Sequence, residues 1–204
     1  MSDLTRRQVV AARAAGAAAL TAGGIALAEL SSSSGGAPTL PHDPVSAKFD
    51  FAGLKPQVNT KWGTAAEATV KNFPILEGSD AAVFHFNLKP GALREPHWHP
   101  NAWEVDVPLE GTAEVGVVNP DGKTQIVTIE RGQVAFIPQA WAHFIRNPGK
   151  TELKMMLTFG NNQPDDVGLS TMFGGMPTDT FTETLGVKNL DGADKSKTTL
   201  FFVS

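Results

Sequence analysis

The chain has 204 residues, 41% hydrophobic and 19% charged, which suits one domain with extensions at its ends. A net charge of -4 lacks the basic footprint of a nucleic-acid-binding protein, so no nucleic-acid partner is expected. Cysteine and tyrosine are both absent, which removes disulfides, thiolate metal ligands, a cysteine nucleophile and any phenolic acid or radical carrier.

The chain opens with Arg6 and Arg7 before an Ala- and Gly-rich apolar stretch. This is the twin-arginine export pattern, with "ALA" at 26–28 as the cleavage site, so residues 1–28 are expected to be a signal peptide. The stretch is poor in leucine and carries Arg13, so stable membrane insertion of the mature chain is not expected. The predicted location is periplasmic or extracellular. Residues 29–63 then read as a linker and N-terminal arm, starting with the flexible "SSSSGGAPTLPHDP", in which His42 is a solvated tether residue.

From 64 to 175 the pattern changes to short strands between turn signals. "AAVFHFNL" alternates, with Phe84, Phe86 and Leu88 on one face and Val83, His85 and Asn87 on the other; His85 reads as a structural histidine. "NPDG" predicts a turn between "TAEVGVV" and "KTQIVTI", a strand follows Gly132, and "NPGK" turns into "TELKMMLTF". Residues 176–204 form a helical segment and tail, with one helix expected over 177–187. The arrangement is all-β, a sandwich or barrel.

Two of the five histidines, His97 and His99, lie one residue apart, and on a strand they face the same side. Glu104 follows beyond a bend at Pro100 and Asn101, and His143 supplies a third imidazole. Three imidazoles and a carboxylate make a hard nitrogen–oxygen site that suits Mn or Fe and admits Zn, Ni and Cu. On a six-coordinate ion, four protein ligands leave positions for substrate and dioxygen. An H-x-H pair alone is a weak signal that an exposed strand pair explains, so the wider spacing decides. The chain reads Gly91, His97-x-His99, Glu104, Gly111, and later Gly132, Pro138, His143, Asn147.

This spacing resembles the two conserved motifs of the cupin superfamily. One departure is Ala140, where the second motif normally has glycine. The resemblance implies a single cupin barrel (a double-stranded β-helix or jelly roll) with a short C-terminal helical segment. "EATVKNFPI", "KPGALREPHWHPNAWE", "FIPQAWAHFIRN" and "MPTDTFTETLGV" further resemble the oxalate decarboxylase family, over roughly 64–187. The usual enzymes of that family carry two cupin domains; this chain carries one.

The resemblance implies that His97, His99, Glu104 and His143 bind Mn and that Arg94 contacts the carboxylate of oxalate, with dioxygen as a second partner. Strand alternation would place Arg94 on the face opposite His97; without the family role Arg94 reads as a surface ion pair with Glu95. In this family oxalate loses carbon dioxide. A positioned acid then gives formate, whereas oxidation gives a second carbon dioxide and hydrogen peroxide. The family's acid is a glutamate in a lid of Ser-Glu-Asn type. The matching region here, "FGNNQPDDVGLSTMF", has none, which leaves Asp165 and Asp166 as functional substitutes or solvated turn acids. Asp106, two residues after Glu104, points into the barrel by alternation as an acid, a base or a partner of Arg94 or Arg146; otherwise Pro108 disrupts the strand and Asp106 faces solvent. Trp98 should point away from the metal, and Trp103 and Trp141 pack the barrel or its mouth. A homo-oligomer follows by resemblance.

The first expectation is therefore oxalate decarboxylation. The alternatives are an oxalate oxidase-like or other metal-dependent reaction on a different small acid, and a non-enzymatic metal- or ligand-binding cupin.

Overall fold

A computed structural model describes residues 46–188 and 201–204. The segment expected to be a signal peptide, its expected cleavage site and the expected tether with His42 lie outside the described residues.

Among the described residues, twelve strands make two sheets. The first has the order β1-β2-β3-β10-β5-β8, from Val58–Asn59, Gly63–Ala68, Ala82–Leu88, Leu153–Phe159, Glu104–Glu110 and Ala135–Ile137. The second has the order β11-β4-β9-β6-β7, from Val167–Gly168, Leu93–Trp98, Ala142–Arg146, Thr112–Val118 and Thr124–Glu130; β12, Phe202–Val203, also pairs with β4. Every pairing is antiparallel. The result is a jelly roll of two sheets rather than one closed barrel.

Period-two alternation decides which side chains fill the space between the sheets. On β3, Ala82, Phe84, Phe86 and Leu88 are buried and the residues between them are not; on β10, Leu153, Met155, Leu157 and Phe159 are buried in the same way. These join Val115 and Ile145 of the opposite sheet in one apolar core, with the Phe84 and Phe159 rings 4.5 Å apart. The motif glycines Gly91, Gly111 and Gly132 all adopt positive φ, as tight turns between strands require. Asn147 is fully buried, and its side-chain amide donates to the carbonyls of Leu88 and Thr151, which pins the turn behind the second motif.

The helix expected over 177–187 is present as α2, Thr178–Leu185, ending on left-handed Gly186. Two features had no sequence signal: the preceding helix α1, Leu169–Gly175, and the return of residues 201–204 onto the edge of β4. Pro108 does not disrupt β5, which runs through it to Glu110. Its missing N–H is tolerated where the register shifts between Lys154 and Met155 of β10. Ala140 adopts φ 64°, the left-handed conformation that glycine normally supplies there.

Candidate metal centre

Strand β4 carries His97 and ends at Trp98, just before His99, and a bulge in it sets the geometry. Arg94 pairs with Ile145 and His97 with His143, so Glu95 and Pro96 together oppose the single residue Phe144. A two-against-one bulge reverses the parity of the strand. Arg94 therefore shares the buried side with His97, correcting the expectation from plain alternation. Nor is Arg94 a surface residue: it is 1% exposed, and its ion pair with Glu95, at 3.9 Å, is buried, with the Glu95 carboxylate also accepting from Ser170 N and Oγ, both at 2.8 Å.

His97, His99, Glu104 and His143 are all buried and offer ligand atoms that lie within 4.8 Å of one another. Each ring is oriented through Nδ1 by a backbone carbonyl: His97 by Glu95 O at 2.8 Å, His99 by Asp165 O at 2.6 Å, His143 by Trp141 O at 3.0 Å. With Nδ1–H donating, Nε2 presents its lone pair to the centre. Two of these nitrogens lie close to one carboxylate oxygen: His143 Nε2 at 2.9 Å and His99 Nε2 at 3.0 Å from Glu104 Oε2. Lone pairs facing a carboxylate oxygen at that range repel unless a cation lies between them. His99 Nε2 and Glu104 Oε1 also have no hydrogen-bond partner despite full burial. The donor set fits a metal ion: three neutral nitrogens, one anionic oxygen, unmet valences and no sulfur.

The electrostatics separate the three rings. Burial, followed by the charges of Arg94 and the other two histidines, holds His97 well below its ordinary pKa, which keeps it neutral. Where protons rather than a metal ion sit between the rings and Glu104, burial alone would raise Glu104, but the charge and hydrogen bond of His143 and the contact with His99 outweigh it and hold the carboxyl well below the usual range. His99 moves up because Glu104 outweighs its burial.

Asp106 lies on the same face as Glu104, opposite Leu157 on one side and Ala135 on the other. It is fully buried and neither oxygen accepts a hydrogen bond. Burial, then the charge of Glu104, pushes its carboxyl well above the usual range. It pairs with neither arginine: Arg146 reaches Glu114 at 3.4 Å, and Arg94 donates from Nη2 to Asp166.

Asp165 and Asp166 occupy the segment that would form the lid. The Asp165 side chain is exposed, while its backbone carbonyl orients His99 and its N–H donates to Asn101 Oδ1. Asp166 is 37% exposed at its side chain and ion-paired with Arg94. Trp98 sits half-buried between the two buried histidines, as alternation requires, and Trp103 packs directly over Gly160. Half-buried His85 stacks on Phe51 outside the core.

Two neighbours of Arg94 escaped the sequence reading. Phe201 lies 107 residues away in sequence and left no local signal. Glu67 was legible in principle: it pairs with Phe84 and so shares the inward face, and burial followed by the charge of Asp166 raises its carboxyl.

Residues 49–190 match the protein family described as Cupin. The chain is a cupin. It is 34% identical over 146 residues to germin-like protein subfamily 2 member 2 of Arabidopsis thaliana, covering 68% of this chain and 67% of the relative. It is 28% identical over 144 residues to oxalate decarboxylase OxdC of Bacillus subtilis, covering 70% of this cupin but 37% of the relative. Among solved structures, the same decarboxylase at pH 4.6 superposes with a TM-score of 0.66 at 26% identity, over 74% of this cupin and 39% of that chain. Another structure of the enzyme, with equal TM-score and coverage, is described for its Mn(II) centers. This cupin thus spans well under half of the decarboxylase.

Proposed function

We propose that this cupin degrades oxalate in a Mn- and dioxygen-dependent reaction that releases carbon dioxide and formate. The observation that carries the reading is Arg94: a fully buried cation beside a buried metal-ligand set, with an Nε–H that no protein group accepts. A buried guanidinium edge without a partner suits a planar carboxylate. His97, His99, Glu104 and His143 would hold the ion, which would supply Lewis acidity and charge to a small dianion.

The chain's own residues do the rest. Arg94 fixes one carboxylate of the substrate, which must displace or share the position of Asp166. Asp166, released at that moment as a carboxylate, is the nearest lid group to take the proton of singly protonated oxalate and return it to the one-carbon product. The balance is oxalate dianion plus one proton giving carbon dioxide plus formate. Asp106 is a second proton-holding group beside Glu104, and Asp165 acts through its carbonyl on His99. The absence of a lid glutamate supports a second reading, an oxidase-like outcome yielding hydrogen peroxide. Export by the twin-arginine segment and assembly into a homo-oligomer belong to the same proposal; exposed Ile126, Val134 and Phe136 offer apolar surface for assembly to cover. Among the described residues no helix is long and apolar enough to cross a membrane.

The test is Arg94→Ala. Removing the buried cation should lower kcat/KM on oxalate by about 100-fold or more while bound Mn is retained. Unchanged turnover of oxalate would remove this substrate.

A further inference from the structure

We infer that Phe201 is a positioning residue for the Arg94 guanidinium, and that the segment 201–204 forms a wall of the anion subsite. The role in catalysis rests on the reading that Arg94 receives the substrate carboxylate.

The segment is joined to β4 at the arginine itself: Phe202 pairs with Arg94 and Val203 with Leu93. Glu95 N–H donates to Phe201 O at 3.0 Å, and Phe201 N–H donates to Glu95 Oε1 at 3.3 Å. The same Glu95 carboxylate holds Ser170 at the start of α1, so the bulge in β4, the helix and the segment share one buried anchor. These contacts hold Phe201 at φ 53°. An aromatic residue rarely adopts that conformation, and it persists only where the surroundings over-determine it. Phe202 then enters the core, 5.3 Å from the Phe86 ring, while Phe201 lies with its ring centre 3.8 Å from Arg94 Cζ. The carbonyl of Phe201 accepts from Arg94 Nη1 at 3.5 Å.

The guanidinium therefore has one face on an aromatic ring, one edge on Asp166, and an Nε–H with no partner. A planar cation fixed by its face presents its free edge in one orientation, which two-point recognition of a carboxylate needs. Among the described residues, no ring contact or hydrogen bond joins Phe201 to the four metal-ligating side chains, so its effect should separate from metal binding.

The experiment uses the full chain with Zn as a diamagnetic ion, and reads the heteronuclear NOE of the Arg94 Nε–Hε group, assigned by its loss in Arg94→Lys. The wild type should show a rigid Nε–Hε, Phe201→Ala a mobile one, and Phe201→Tyr, which keeps the ring face, a rigid one. Phe201→Leu, which keeps apolar bulk without the face, should be mobile with a near-normal melting temperature, covering the case in which the alanine variant fails to fold. In parallel, calorimetry on Mn-loaded, oxygen-free protein should show oxalate bound about 10-fold more weakly by Phe201→Ala and Phe201→Leu, with Mn affinity unchanged. A rigid Nε–Hε in Phe201→Leu, or a mobile one in the wild type, overturns the inference. If the NOE pattern holds but the wild type binds no oxalate, the positioning role stands and the substrate reading falls.

Discussion

The metal group and the arginine subsite lie side by side on β4, yet they are built in opposite ways. The metal group is built on the strands of the two sheets and one strand end: His97 and His143 are register partners, His99 follows the end of β4, and Glu104 starts β5. Its parts are close in sequence or fixed by one strand pairing. The arginine subsite is assembled from a bulge, a lid segment and a strand near the chain's end, with Asp166 and Phe201 brought to Arg94 from 72 and 107 residues away. A site coded by local spacing tolerates variation elsewhere. A site assembled from distant segments can change its chemistry while the metal set stays intact, which is how one barrel hosts several reactions.

The largest expected effect breaks the first region alone. His143→Ala removes one of four ligands and should weaken Mn binding by more than the 10- to 100-fold typical of lost outer partners, read by calorimetry. A variant with near-normal affinity would mean the ion is held elsewhere. In the second region, Asp166→Asn keeps shape and removes the competing charge. It should lower KM for oxalate several-fold and shift products from formate toward peroxide; unchanged products would take Asp166 out of the proton step. Replacing Asp106 sharpens the boundary between the two. Its carboxyl is raised in the folded chain, so it carries no penalty below the unfolded value of about 3.9 and an increasing one as pH rises toward the folded value. Metal-free wild type should therefore lose melting temperature relative to Asp106→Asn as pH rises from about 4 to 7. Parallel curves would contradict the shift. The smallest effect is Ala140→Gly: relieving the left-handed alanine should add about 1 kcal/mol, partly offset by the flexibility of unfolded glycine.

What the sequence made legible follows the same division. The H-x-H pair, Glu104 and His143 stand at fixed offsets from turn glycines, and alternation correctly set the inward face of β3 and of Asp106. Alternation failed at Arg94 because one extra residue in β4 changes parity without a glycine to announce it. Pro108 suggested a broken strand, but the structure places it where the ladder is already irregular. Helix α1 has no apolar period, and Phe201 reaches Arg94 only through the fold. Properties of that kind depend on long-range pairing, which no local pattern records.

The most direct test of the central claim is one incubation of the Mn-loaded protein with oxalate and air at mildly acidic pH, with formate and hydrogen peroxide quantified together. The site as described predicts that formate is the main product. Neither formate nor peroxide, with Mn confirmed bound, would contradict it and leave a metal cupin acting on something other than oxalate.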